Sequence, residues 1–233
     1  MTEGTPVGRR VVFAMLGLGA LGVFVGADVQ RGTDRFVAPL RENDPTGLTG
    51  LLPSSGFRYY SVVSHVPART AADYVLTVHG LVDRPLRLTL DDLSRLPQTE
   101  LVRDFQCVTG WRVPDVRWTG VRLAALLDAA GPRPAATALT FRSFDGAYDE
   151  SLTLEQARHP EVLVALTMLG GPVTHDHGGP VRLYVAPMYG YKSIKWLGEI
   201  ELVDAVAPGY WEQRGYDVDA WIGQSNGRDD EPV

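Results

Sequence analysis

Residues 177–202 read HGGPVRLYVAPMYGYKSIKWLGEIEL. Two β-favouring runs, 181–186 and 200–203, are joined here by a loop of glycine, tyrosine and basic side chains instead of a helix. The pattern upstream is similar. Residues 162–168 are apolar and β-favouring up to Gly170-Gly171-Pro172, and residues 154–158 allow only a short helical turn. A strand over 138–144 closes on the turn at Asp145-Gly146. Residues 121–130 carry a helical pattern with Leu123, Leu126 and Leu127 on its inner side, stopped by Gly131-Pro132. Further back, a strand over 100–106 delivers Cys107, and a short helix capped by Thr89 or Asp91 ends before Pro97. It follows an extended run over 86–90 and a strand over 74–80. Short helices scattered among many strands lack a βαβ rhythm, so the expected fold is α+β with a mixed sheet, not a doubly wound nucleotide-binding fold.

The 233 residues are 45% hydrophobic and 21% charged, with a net charge of −6, which argues against a nucleic-acid-binding chain. The 25 glycines and 16 prolines predict many fixed turns. Residues 1–32 read as a signal or transmembrane helix: Arg9 and Arg10 precede an uncharged run, 11–27, at the short edge of what spans a bilayer. The arginine pair also fits part of a twin-arginine export signal. The expected location is therefore extracytoplasmic, in the periplasm or on the outer face of the cytoplasmic membrane. Residues 33–56 form a linker or wrapping segment, 57–223 one domain, and 224–233 a polar tail.

Cys107 is the only cysteine, so the chain holds no intrachain disulfide and no Cys-rich zinc or iron–sulfur cluster. It is either a small buried hydrophobe or a thiol with a task performed singly. Its setting is DFQCVTGWRVPDVRWTG, residues 104–120, between a strand and a Gly/Trp/Pro-rich loop. In the opening stretch, His177, Arg182, Lys192 and Lys195 surround a glycine-bearing loop and alternate with Tyr184, Tyr189, Tyr191 and Trp196. Backbone N–H groups over 190–194, with Arg182 and Lys195, would suit a phosphate-bearing ligand; a solvated basic loop with packing aromatics is the other reading. No GxxxxGKS/T loop and no GxGxxG turn after a strand is present. His175 and His177 lack a persuasive third zinc ligand, and no local feature positions a histidine as base for a Cys107 hydrolase.

Taken in order, YYSVVSHVP (residues 59–67), DFQCVTGWR followed by WTG, FRSFDG, HGGPVR and YGYKSIKW resemble the molybdopterin-binding domain of the sulfite oxidase superfamily. Within it they look most like the compact bacterial branch related to the catalytic subunit of periplasmic methionine sulfoxide reductase. The resemblance runs over residues 59–203 and implies a sulfite-oxidase-type fold with a molybdenum-molybdopterin cofactor (Mo-MPT). It implies that Cys107 is the thiolate ligand of molybdenum beside the dithiolene sulfurs, and a soft, electron-rich sulfur suits that role. It further implies cofactor contacts at Tyr60, Ser61, His65, Ser143, His177 and Arg182, with Ser193, Ile194 and Lys195 gripping the phosphate. His177 stands where sulfite-oxidase-like members carry histidine and the reductase branch carries asparagine.

The departures concern substrate. Sulfite oxidases continue from the cysteine into an Asn/Arg-containing anionic pocket motif, whereas this chain reads CVTGWR, with Arg112 able to face an anion and Trp111 at the distinctive position. The reductase branch carries an acid two positions after the cysteine, here Thr109. The implied activity is reduction of S-oxides or related small oxygenated substrates, with electrons from a membrane haem or quinone-linked protein. A sulfite-type oxidase and a noncatalytic cofactor-binding subunit of a redox complex are the alternatives. Nothing in the chain matches a fused cytochrome b5 domain or the C-terminal immunoglobulin-like domain of dimeric sulfite oxidases, so the resemblance implies a monomer.

Overall fold

A computed structural model describes Phe57, residues 61–109 and residues 112–224. The described residues from 61 onward belong to one compact unit. No helix among the described residues is long and apolar enough to cross a membrane. That corrects the expectation of a signal or transmembrane helix; the run 11–27 on which it rested lies outside the described residues, as does the tail beyond Gln224.

Among the described residues, ten strands and three short α-helices follow one another in the order β1 (Val75–Gly80), β2 (Leu86–Thr89), α1 (Leu90–Arg95), β3 (Thr99–Gln106), β4 (Arg112–Arg122), α2 (Leu123–Ala130), β5 (Ala138–Ser143), β6 (Asp149–Thr153), α3 (Leu154–Ala157), β7 (Val162–Met168), β8 (Gly171–Pro172), β9 (Arg182–Val185) and β10 (Leu197–Val203). One sheet runs β2-β1-β10-β5-β6 and is mixed, because β1 pairs with β10 in parallel while its other pairs are antiparallel. The other runs β3-β4-β7-β8, with β9 also paired to β7. Since β9 belongs to the second sheet and β10 to the first, the loop over 186–196 is a connection between sheets.

Local chemistry accounts for the helices. Thr89 and Asp92 form a reciprocal capping box on α1: Thr89 Oγ1 accepts from the Asp92 amide at 3.1 Å, and Asp92 Oδ2 accepts from the Thr89 amide at 3.0 Å. In α2, Leu123, Leu126, Leu127 and Ala130 recur at helical spacing and are buried. They join a core with Leu76 and Val78 of β1, Leu139 and Phe141 of β5, Val162 and Val164 of β7, and Ile200 and Leu202 of β10. Each such leucine contributes about 1.5–3 kcal/mol by leaving water. The helix begins at Leu123, not at 121 as the pattern predicts, because Val121 and Arg122 are still paired with Val164 and Leu163.

Three strands escape the sequence reading: the two-residue β8, where Gly171-Pro172 reads as a turn, and the longer β4 and β6. The stretch after Cys107, expected as a loop, becomes the 11-residue β4 from Arg112 onward. Its register against β3 shifts between Arg103 and Phe105, opposite Pro114 and Asp115, so a bulge absorbs the proline. Strand β6, DESLT, begins with two acids and lacks a clean alternation, yet Glu150, Ser151 and Leu152 are all buried.

Candidate active site

Strand β3 ends at Gln106, which leaves Cys107 half-buried just past the paired backbone. Its Sγ lies 3.2 Å from Thr109 Oγ1. Two residues earlier, Phe105 is buried and forms a floor for the loop between β9 and β10. A Cβ on Gly190 would fall 2.4 Å from the Phe105 ring, so only glycine permits that approach.

Arg182 opens β9 and is 3% exposed. Its Nη1 donates to the His177 carbonyl and its Nη2 to the Ser193 carbonyl, each at 2.8 Å. The guanidinium also lies 5.5 Å from the Phe105 ring centre and 5.4 Å from that of Trp118. One buried cation thus ties the end of β3, the 177 turn and the 193 loop together. Burial pushes its pKa down to about 10.

Ser193 is buried, and its Oγ accepts from the Val185 amide at 2.9 Å. Ile194 is buried beside it, its carbonyl accepting from the Leu183 amide at 2.9 Å. Lys195 packs against the 177 turn at Gly178, where φ is +97° and a Cβ would meet Lys195 Cβ at 2.5 Å. Its Nζ lies 4.1 Å from the Trp196 ring centre. Trp196 has a left-handed backbone, φ 53°, held by its amide donating to the Gly178 carbonyl and its indole Nε1 to the His175 carbonyl, both at 2.9 Å. Ser143 is buried opposite Leu197 in the β5–β10 register, its Oγ accepting from the Asp145 amide at 3.1 Å.

The amides over 192–194 do not converge on a ligand. They donate to Tyr189, Gly190 and Lys192 carbonyls at 3.0–3.1 Å and close a 3-10 turn. Positive charge comes instead from side chains. Burial first, and then the Arg182 charge, push the Lys195 ammonium down to about 7; Asp145 and Asp176 oppose this more weakly. The same two causes lower His177. Arg182 disfavours protonation of both Lys195 and His177, and Lys195 that of His177, a repulsion that an anion would relieve.

The described contacts join His177, Arg182, Ser193, Ile194 and Lys195 into one wall; Ser143 pairs with Leu197 just beyond it, and Cys107 follows two residues after Phe105, over which Arg182 lies. Ser61 bonds within its own turn, Oγ donating to the Val63 carbonyl at 2.8 Å, and His65 is exposed; no described contact joins either to that wall. Tyr60 and Trp111 lie outside the described residues. Arg112 pairs with Asp104, Nη1 to Oδ2 at 3.3 Å. Among the described residues, the three-ligand metal grouping is His79, Glu199 and Glu201, not the His175–His177 pair, and Arg142 already bridges its two glutamates.

A soft thiol donor beside a half-buried cationic cluster fits a phosphate-bearing group with a sulfur-ligated metal. Residues 63–211 match the family described as oxidoreductase molybdopterin binding domain. The chain belongs to that family. It is 35% identical over 151 residues to the uncharacterized oxidoreductase YuiH of Bacillus subtilis, covering 64% of this chain and 76% of the relative. It is 32% identical over 176 residues to the protein-methionine-sulfoxide reductase catalytic subunit MsrP of Gluconobacter oxydans, covering 68% of this chain and 56% of that one. Among solved structures, the sulfane dehydrogenase SoxCD of Paracoccus pantotrophus superposes with a TM-score of 0.58 at 25% identity, over 62% of this chain and 41% of that one. Membership implies a molybdopterin-dependent oxidoreductase, and the mixed α+β architecture is the sulfite-oxidase-type fold.

Sequence reasoning missed one group. Lys192, grouped above with the basic loop, is 1% exposed and sits between Glu150 and Glu212. Its partners are distant in sequence, so no local pattern announces it.

Proposed function

We propose that the protein is an extracytoplasmic molybdenum-molybdopterin oxidoreductase that reduces S-oxides or related small oxygenated substrates. A membrane haem or quinone-linked protein would supply its electrons, and the domain would act as a monomer. The observation that carries this reading is the half-buried Cys107 thiol at a strand end that is packed, through Phe105, onto the Arg182–Lys195 cluster. When bound, the molybdenum-pterin group supplies two-electron oxygen-atom transfer. Cys107 would hold the metal as a thiolate and take no part as a nucleophile. Lys195, with Ser193 and Ile194 in its loop, would hold the phosphate. Arg182 would add buried positive charge and fix the carbonyls of His177 and Ser193. The indole of Trp196 and the ring of Phe105 would shield these contacts from water. The extracytoplasmic location and the electron partner rest on the resemblance to methionine sulfoxide reductases.

The oxidising direction, with sulfite or a related donor, is favoured by one local feature: Thr109 places a hydroxyl 3.2 Å from Cys107 Sγ where the reductase branch carries an acid. The test is to purify the protein, measure molybdenum, and compare oxidation of a reduced carrier by methionine sulfoxide with acceptor reduction by sulfite. Stoichiometric molybdenum that disappears in Cys107→Ser, with turnover of the sulfoxide, is expected. Turnover of sulfite alone reverses the assigned direction, loaded protein that no carrier reduces or reoxidises points to a noncatalytic subunit, and activity in metal-free protein sinks the mechanism.

A further inference from the structure

We propose that residues 209–224 are a strap that fixes the conformation of the loop over 193–195, with Lys192 as the positioning residue at its centre. The Lys192 ammonium donates to Glu150 Oε2 and to the Ser151 carbonyl, each at 3.1 Å, and to Glu212 Oε1. All three ionic side chains are buried. Glu212 Oε2 also accepts from the Gly209 amide at 2.6 Å, so the strap closes on itself where it grips the lysine.

Further bonds run along the same stretch. The Tyr189 amide donates to the Ala220 carbonyl at 2.9 Å and the Ile222 amide to the Pro187 carbonyl at 3.0 Å, flanking a bridge between Met188 and Trp221. The Tyr191 hydroxyl donates to the Asp217 carbonyl at 2.5 Å, while the Tyr191 carbonyl accepts from the Tyr148 hydroxyl at 2.7 Å. The chain from Pro187 to Lys192 is thereby held from outside before it becomes the loop assigned to the phosphate. Rigid coupling to that loop is direct: the Ser193 amide donates to the Gly190 carbonyl and the Ile194 amide to the Lys192 carbonyl, both at 3.1 Å. A site of this kind needs its ligand-facing groups locked by a supporting layer. The family match ends at Trp211, so Glu212 and the strap residues that follow it lie beyond the match. The inference rests on the proposed role of 193–195 in holding the cofactor.

The experiment is amide hydrogen exchange on cofactor-free protein, comparing wild type, Glu212→Gln, Tyr191→Phe and a core control, Leu126→Ala. Glu212→Gln keeps the shape but leaves one acceptor for two donors, and Tyr191→Phe removes a single strap bond, so it folds if the first variant does not. Both are expected to speed exchange of the 192–194 amides at least about tenfold relative to Leu126→Ala. Loop amides that exchange no faster than in the control overturn the strap. Molybdopterin retained on purified protein is measured in parallel. Wild type retaining none defeats the functional reading while exchange still decides the strap. Retention that stays equal across wild type and loosened variants overturns the strap's role in cofactor binding.

Discussion

Lys192 and Lys195 stand on the same loop and in opposite surroundings. The first is fully buried among Glu150, Glu212 and a backbone carbonyl. The second is half-buried with Arg182 as its strongest charged neighbour and an indole beneath it. Folding alone satisfies Lys192, so its energetics belong to stability. Folding leaves Lys195 with Arg182 as its strongest charged neighbour, and under the proposed function a ligand completes the structure there. Two lysines in one hexapeptide, YKSIKW, therefore divide into a structural cation and the one proposed to face the ligand.

The largest expected effect separates them directly. Lys192→Met strips the cation from two buried carboxyl groups and should lower stability by about 3–5 kcal/mol in urea unfolding. Lys195→Met removes a charge that burial disfavours, so the cofactor-free variant should stay within about 1 kcal/mol of wild type. Equal losses in the two variants would break the comparison.

Next in size is pH dependence, where the two clusters act with opposite sign. Burial pushes Glu150 up to about 7, against the pull of Lys192, in surroundings that also include Tyr148 and Asp149. A raised carboxyl contributes stability that is complete below its ordinary value near 4.5 and is lost as pH climbs through about 7. Lys195 is depressed from 10.5 to about 7, so its contribution is complete above 10.5 and is lost as pH falls through about 7. Together these groups place a stability minimum of the cofactor-free protein near pH 7. Thermal unfolding across pH 5–10 should show Glu150→Gln flattening the acidic side of that minimum and Lys195→Met the alkaline side. A variant that flattened the wrong side would misassign its cluster.

This division also explains what the sequence could tell. The leucines of α2, the capping Thr89 and the apolar run of β7 act through local spacing, so their elements are readable from the chain. Strand β4 is hidden by Pro114, which the sheet accommodates by a bulge that depends on its partner β3. Cys107 and the loop over 193–195 stand out by motif, and the fold joins them through Phe105, whose ring reads in sequence as ordinary core. Lys192 reads as one more basic loop residue because Glu150 and Glu212 lie 42 and 20 positions away. Only tertiary contact distinguishes a cation enclosed by two buried carboxylates from one set beside another cation.

The smallest expected effect tests that difference. Inorganic phosphate should stabilise the cofactor-free protein through Lys195 and not through Lys192, because Lys192 is already enclosed by Glu150 and Glu212 whereas Lys195 has Arg182 as its strongest charged neighbour. At a concentration equal to its dissociation constant, the ligand adds about 0.4 kcal/mol, a rise in melting temperature of about 1–2 °C. The sign with pH follows from protonation. With Lys195 depressed to about 7, the ligand-free amine is charged at pH 6 and largely neutral at pH 9, so stabilisation by phosphate should be greater at pH 6. At pH 8 binding should draw in protons, visible by calorimetry in buffers of different ionisation enthalpy. Sulfate serves as a second probe because its own charge does not change over this range. Lys195→Met should abolish both the shift and the proton uptake, and a phosphate effect that survives it would move the anion site elsewhere.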